Sequence, residues 1–175
     1  LPEGMTSIKG NMFYQCTNLK SITIPNSVTY IGKNAFYECT SLESVTMPDS
    51  VTYIGEEAFE FCSSLTSVAF PDNGIYIGLN AFKSCTNLES VTIPANVNLE
   101  RGTFSECSNL KNVILADGFT TIATGMFVNC TGLTNITIPD SVTSIGGAAF
   151  FECKSLESII IPDGVTSIAD STFDG

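Results

Sequence analysis

Seven cysteines divide the chain into near-equal lengths. They stand at Cys16, Cys39, Cys62, Cys85, Cys107, Cys130 and Cys153, with spacings of 23, 23, 23, 22, 23 and 23 residues. A fixed period of this length means that one supersecondary unit recurs, and the recurrence must be read before any local structure. Other positions keep the same step. A phenylalanine lies three residues before each cysteine, as in Phe36, Phe59 and Phe82, and Phe173 continues that series. A leucine lies three residues after each, as in Leu42, Leu65 and Leu88. An apolar, polar, apolar triplet follows, as in Ile22-Thr23-Ile24, and in most units a proline closes it.

Each unit has a physical reading. Alternation of period two marks a short strand with one face inward. Proline lacks an N–H and stops the strand. A turn such as Asn26-Ser27 or Asp49-Ser50 leads to Val28-x-x-Ile31-Gly32, which brings two further apolar anchors inward. Gly32, Gly55, Gly78 and Gly146 fit a tight bend that excludes bulk or needs a positive φ. Ala123 and Ala169 take the same slot, so positive φ is not obligatory there. Ala35-Phe36 and its equivalents read as a short helical or 3₁₀ turn that lays the phenylalanine into the core. One unit cannot bury its own apolar side, but stacked units can. Like strands then pair in parallel, and about seven coils give a body roughly 35 Å long.

The expected fold is therefore an α/β-type, right-handed solenoid. It has one parallel β-sheet and short turns or 3₁₀/helical segments on the opposite side. Residues 1–175 form a single domain of about 7.5 repeats, read as a piece of a longer chain. The one-residue deletion before Cys107 should be absorbed in a surface turn, because a slip inside a strand would turn the inward set outward. Gly74 replaces the valine of other units, and Ile75 should swing in to fill its place.

Segments such as Phe36-Tyr37-Glu38-Cys39-Thr40-Ser41-Leu42-Glu43-Ser44-Val45-Thr46-Met47-Pro48 resemble the BspA-type leucine-rich repeat, and so does Asp140-Ser141-Val142-Thr143-Ser144-Ile145-Gly146. The resemblance covers essentially the whole chain. It implies a protein on the surface of, or secreted from, a bacterium or mucosal protist, similar to adhesins that bind host matrix or other cells. The motif consists of core positions, so no binding residue carries over from it.

Composition narrows the function. The chain holds 18 acidic and 7 basic residues, with a formal net charge of −11, so no basic cluster is available for nucleic acid. No apolar run is long enough for direct membrane insertion. Histidine is absent, which removes the usual general base, and no phosphate-binding glycine loop with a lysine occurs. Neither an enzyme nor a cofactor is expected. Each cysteine lies between an inward phenylalanine and an inward leucine, the setting of a ladder of free, buried thiols. Their odd number prevents complete pairing within the chain. Asp49, Asp72, Asp117, Asp140 and Asp163 follow the strand ends, where they suit turn capping; a row of weak calcium sites is the sharper alternative.

The candidate partner-binding residues are Tyr30, Tyr53 and Tyr76, which share one register in three consecutive units, with Ile114 and Ile160 as apolar exceptions on an otherwise polar strand face. Tyr14, Tyr37, Phe61 and Phe151 lie between the core phenylalanine and the cysteine of their units. The reading is an extracellular recognition or adhesion module whose partner is a host or neighbouring-cell protein or glycan. The rival reading is a structural spacer without its own ligand. Repeats cut at Leu1, Met5, Ile168 and Phe173 would expose core at each end and favour end-to-end self-association.

Overall fold

The computed structural model describes residues 1–175. Thirteen short strands follow one another: β1 (Ser7–Ile8), β2 (Tyr30–Ile31), β3 (Ser44–Thr46), β4 (Tyr53–Ile54), β5 (Ser67–Ala69), β6 (Tyr76–Ile77), β7 (Ser90–Ile93), β8 (Asn98–Leu99), β9 (Asn112–Leu115), β10 (Thr121–Ile122), β11 (Asn135–Thr137), β12 (Ser144–Ile145) and β13 (Ser158–Ile159). All pairings are parallel. One sheet runs β3-β5-β7-β9-β11-β13, a second β1-β2-β4-β6-β8, and β10 pairs with β12 in a third. Register follows the repeat, with Ser44 opposite Ser67 and Tyr30 opposite Tyr53. A single cluster of 43 buried residues runs through the coil. Leu42, Leu65 and Leu88 are fully buried in it, as are Phe36, Phe59 and Phe82.

The structure corrects the expected α/β class. The chain is a pure β-solenoid with no helix, and it carries three parallel sheets where one was expected. The phenylalanine-bearing segment cannot be helical, because two of its residues in each coil have positive φ. Asn34 and Glu38 stand at 55° and 57°, Glu57 and Phe61 at 56° and 61°, and Ala148 and Glu152 at 54° and 59°. Helical residues need negative φ throughout. Amides along this side alternate between closing a turn and reaching the following coil. Ala35, Tyr37 and Cys39 donate to carbonyls three residues back, whereas Asn34, Phe36 and Glu38 donate to Glu56, Ala58 and Glu60 at 2.7–3.0 Å. The first of the two left-handed positions reads Asn11, Asn34, Glu57, Asn80, Gly102, Gly125, Ala148 and Ser171, and its asparagines and glycines carried the signal.

A left-handed conformation costs an ordinary L-residue about 1–2 kcal/mol. Ala148→Gly should therefore stabilise the chain by up to about 1 kcal/mol, after subtraction of the greater backbone freedom of unfolded glycine. Urea denaturation measures it; a loss of stability would refute this account of the turn.

The missing residue lies between Pro94 and Asn98, in the turn joining β7 to β8. Ser67 pairs with Ser90, Ser90 with Asn112, and Tyr76 with Asn98, so the inward set is preserved on both sides of the deletion. Ile75 is fully buried beside Gly74, which has φ 80°.

Steric room explains the recurring glycine. None of Gly32, Gly55, Gly78 and Gly146 has positive φ. A methyl group on Gly55 would stand 2.5 Å from the Lys33 amide nitrogen, and one on Gly78 would stand 2.7 Å from that of Glu56. Methyls on Gly32 and Gly146 would collide equally with the preceding coil. Where alanine holds the slot, the ladder to the preceding coil is absent. Ala123 follows β10, which is not paired with β8, and Ala169 lies in a coil that forms no strand with β12. Glu100 also holds the slot, yet its amide still donates to the Ile77 carbonyl at 3.0 Å; its coil is the shortened one. At the β8/β10 break Phe119 further replaces the smaller valine of other coils and is buried. The core stack records the splay. Ring centroids lie 4.9 Å apart at Phe36–Phe59 and 5.0 Å at Phe59–Phe82, but 5.8 Å at Phe82–Phe104 and 6.1 Å at Phe104–Phe127.

Candidate functional site

The strand positions that carry Tyr30, Tyr53 and Tyr76 alternate with the buried Ile31, Ile54 and Ile77, so the tyrosines point outward from the β1–β8 sheet. In-register parallel pairing stacks their rings. Centroids are 4.9 Å apart for Tyr30–Tyr53 and 5.0 Å for Tyr53–Tyr76, with interplanar angles of 8° and 15°. Tyr30 is 42% exposed and the other two are half-buried. Stacked rings cover one another's faces, leaving edges and phenol oxygens for a partner. The Tyr76 hydroxyl donates to Glu100 Oε1 at 3.2 Å. Burial, followed by the Glu100 carboxylate, raises the Tyr76 phenol above its ordinary pKa.

A second aromatic row borders the turn side. Tyr14 and Tyr37 stack at 5.0 Å, and Phe61 meets Tyr37 edge-on at 5.5 Å. Lys83 ends this row, 5.9 Å above the Phe61 ring. Its ammonium lies 3.3 Å from Glu60 and 3.7 Å from Glu106. Glu60 is buried, which raises its carboxyl pKa while Lys83 opposes the shift. Sequence reasoning passed over this charged group because Glu60 and Lys83 stand in a register that is otherwise mostly aromatic, small or apolar.

Ile114 is exposed on β9 of the other large sheet and Ile160 is exposed just past β13, and neither is brought to the tyrosine row. Thr137 pairs with Ile114 in the intervening coil, so the two isoleucines are separate apolar points. The repeated aspartates gather no metal cluster: no group of three or more His, Cys, Asp or Glu side chains is placed to hold an ion. The turns are tied instead by the residue beside them. Ser27, Ser50 and Ser141 donate through Oγ to carbonyls of the preceding coil at 2.8, 2.6 and 2.8 Å, and Asn73 does so at 3.1 Å through its amide.

The thiols form the expected ladder. All seven are free, and all but Cys16 are buried. Each buried thiol donates to the phenylalanine carbonyl of the preceding coil, from Cys39 to Phe13 at 3.1 Å through Cys153 to Phe127 at 3.1 Å. Burial pushes Cys39 and Cys153 up to about 11 and Cys107 to about 12. The thiolate is the reactive form. A thiol reagent at neutral pH should therefore label Cys16 rapidly in the folded chain and all seven cysteines only after denaturation. Fast native labelling of Cys85 would contradict the packing.

The β8/β10 break opens a slit on the same side as the tyrosine row. Two adjoining cavities of about 280 and 400 Å³ share Leu99 and Thr121. No backbone hydrogen bond crosses between residues 97–100 and 120–123.

These features can be placed among known proteins. A family profile described as BspA type leucine rich repeat region matches residues 1–101 and 80–175. No curated protein matches the chain. Among solved structures, a T. pallidum leucine-rich repeat protein superposes with TM-score 0.80 at 34% identity, over 86% of this chain and 71% of that one. A leucine-rich repeat protein of Bacteroides ovatus gives TM-score 0.84 at 34% identity, over 91% of this chain and 42% of its own. A leucine rich cell surface protein of Faecalibacterium prausnitzii gives 0.65 at 38% identity, over 88% and 42%. The present chain thus spans less than half the length of the latter two. Coil length, core register and these matches agree, and the chain belongs to the BspA-type leucine-rich repeat family.

Proposed function

We propose that this chain is a recognition or adhesion module, displayed on or secreted from a microbial cell, that engages a host or neighbouring-cell protein or glycan through Tyr30, Tyr53 and Tyr76. The family builds non-catalytic scaffolds, and its solenoid is typical of surface recognition proteins. The observation that carries the reading is the partly exposed tyrosine row, three identical rings stacked in register on the outside of the coil. Tyrosine supplies rigid contact area together with a polar tip, which suits a binding surface.

The test is a binding screen on matrix proteins and glycans, repeated with Tyr30, Tyr53 and Tyr76 all changed to threonine. Threonine already occupies this register at Thr121 in β10, so the fold should persist. Binding lost by that variant, with its unfolding transition unchanged, supports the assignment. Binding that survives removes the row from the function; the absence of any partner favours the spacer reading.

A further inference from the structure

We propose that the slit between β8 and β10 docks an extended polypeptide segment that carries a carboxylate. The slit is a place where a β-ladder should continue and does not. In the other coils of this side, ladder amides and carbonyls meet at 2.8–3.0 Å, as Thr52 to Thr29 and Gly55 to Ile31 do. Here the Thr120 and Ala123 amides have no backbone acceptor, and the Val97 carbonyl has no backbone donor. Unpaired strand edges are templates for another extended backbone, which can meet both donors and acceptor at once. The cavities between the edges share Leu99, which packs against the core and gives side chains of the guest an apolar contact.

Charge defines the guest further. Arg101, the only arginine in the chain, lines the mouth of the slit, is exposed and has no ion-pair partner. The neighbouring Glu100 already accepts the Tyr76 hydroxyl. The guanidinium at the mouth of the slit is a charged donor without an acceptor of its own, and a carboxylate on the guest supplies it. A second copy of this chain is a poor guest, because each copy carries a net charge of −11.

Ala123 provides a test that leaves the fold in place. Glycine is the usual occupant of its slot, so Ala123→Gly should let the two edges approach and close the slit. The probe is a short, blocked peptide of alternating valine and threonine with a central aspartate, compared with its asparagine counterpart. Calorimetry should show the aspartate peptide binding the native chain, with amide shifts in NMR centred on Thr120 and Ala123. Ala123→Gly should weaken it by about tenfold or more. Arg101→Gln should remove the preference for aspartate over asparagine. A Tyr30→Thr, Tyr53→Thr double variant, which leaves the Tyr76–Glu100 contact in place, should bind the peptide normally, which keeps this site distinct from the function proposed above. The proposal is overturned if neither peptide binds, if Ala123→Gly binds as tightly as the native chain, or if Thr120 and Ala123 do not respond. Equal affinity of the native chain for both peptides overturns the carboxylate. A concentration-dependent dimer abolished by Ala123→Gly would assign the slit to a second copy and overturn the proposed guest.

Discussion

Gly55→Ala is expected to destabilise the chain by about 3 kcal/mol, although alanine alone would favour the folded state through the entropy of the unfolded chain. The added methyl meets backbone: the Lys33 amide nitrogen at 2.5 Å and the Gly32 carbonyl carbon at 2.7 Å. Backbone in a stacked coil cannot rotate aside as a long side chain can. The strain is relieved only if β4 withdraws from β2, and that withdrawal gives up the Thr52-to-Thr29 and residue-55-to-Ile31 hydrogen bonds. The result would be a second slit, resembling the one at Ala123, within the tyrosine row. Urea denaturation should show the loss, and hydrogen exchange should show fast exchange at residues 52 and 55. A variant within about 1 kcal/mol of the native chain, with both amides still protected, would reject bulk as the reason for the glycine.

Phe59→Ala is expected to cost about 4 kcal/mol. Phe59 is fully buried and is stacked between Phe36 at 4.9 Å and Phe82 at 5.0 Å, so truncation removes transfer energy and two ring contacts and leaves a void within the coil. A solenoid's stability is close to a sum of repeat and interface terms. The same change at Phe173, which is 38% exposed and stacks on Phe150 alone, should cost about 1 kcal/mol or less. Because only neighbouring coils touch, the central truncation should also divide unfolding into two transitions, whereas the terminal one should leave a single transition. Equal costs at the two positions would contradict a nearest-neighbour stack.

Much of this architecture was legible in the residues. The step from Cys39 to Cys62 to Cys85 sets the coil length. The phenylalanine and leucine flanking each cysteine mark it as buried, and the structure adds only the carbonyl that each thiol reaches. Tyr30, Tyr53 and Tyr76 were legible as a row because parallel pairing at a constant step places like residues side by side. Ile114 and Ile160 were legible as exposed exceptions on the strand face, away from the tyrosine register, because an outward strand position repeats at the coil step. The buried Glu60 and its partner Lys83 were not legible, since charge at a turn position reads as solvated until neighbouring coils close over it.

The sequence by itself determined which side chains face inward and which residue lies above which, because both follow from the chemistry of single positions repeated at one interval. Three things were decided only by the tertiary structure: the left-handed turns that replace helix beside each core phenylalanine, the division of one coil side into two sheets, and the slit at Ala123. Each depends on backbone groups some 22 or 23 residues apart competing for the same hydrogen bonds or the same space. Side-chain bulk at positions such as 55, 119 and 123 bears on that competition, and its consequence appears only when the coils are stacked.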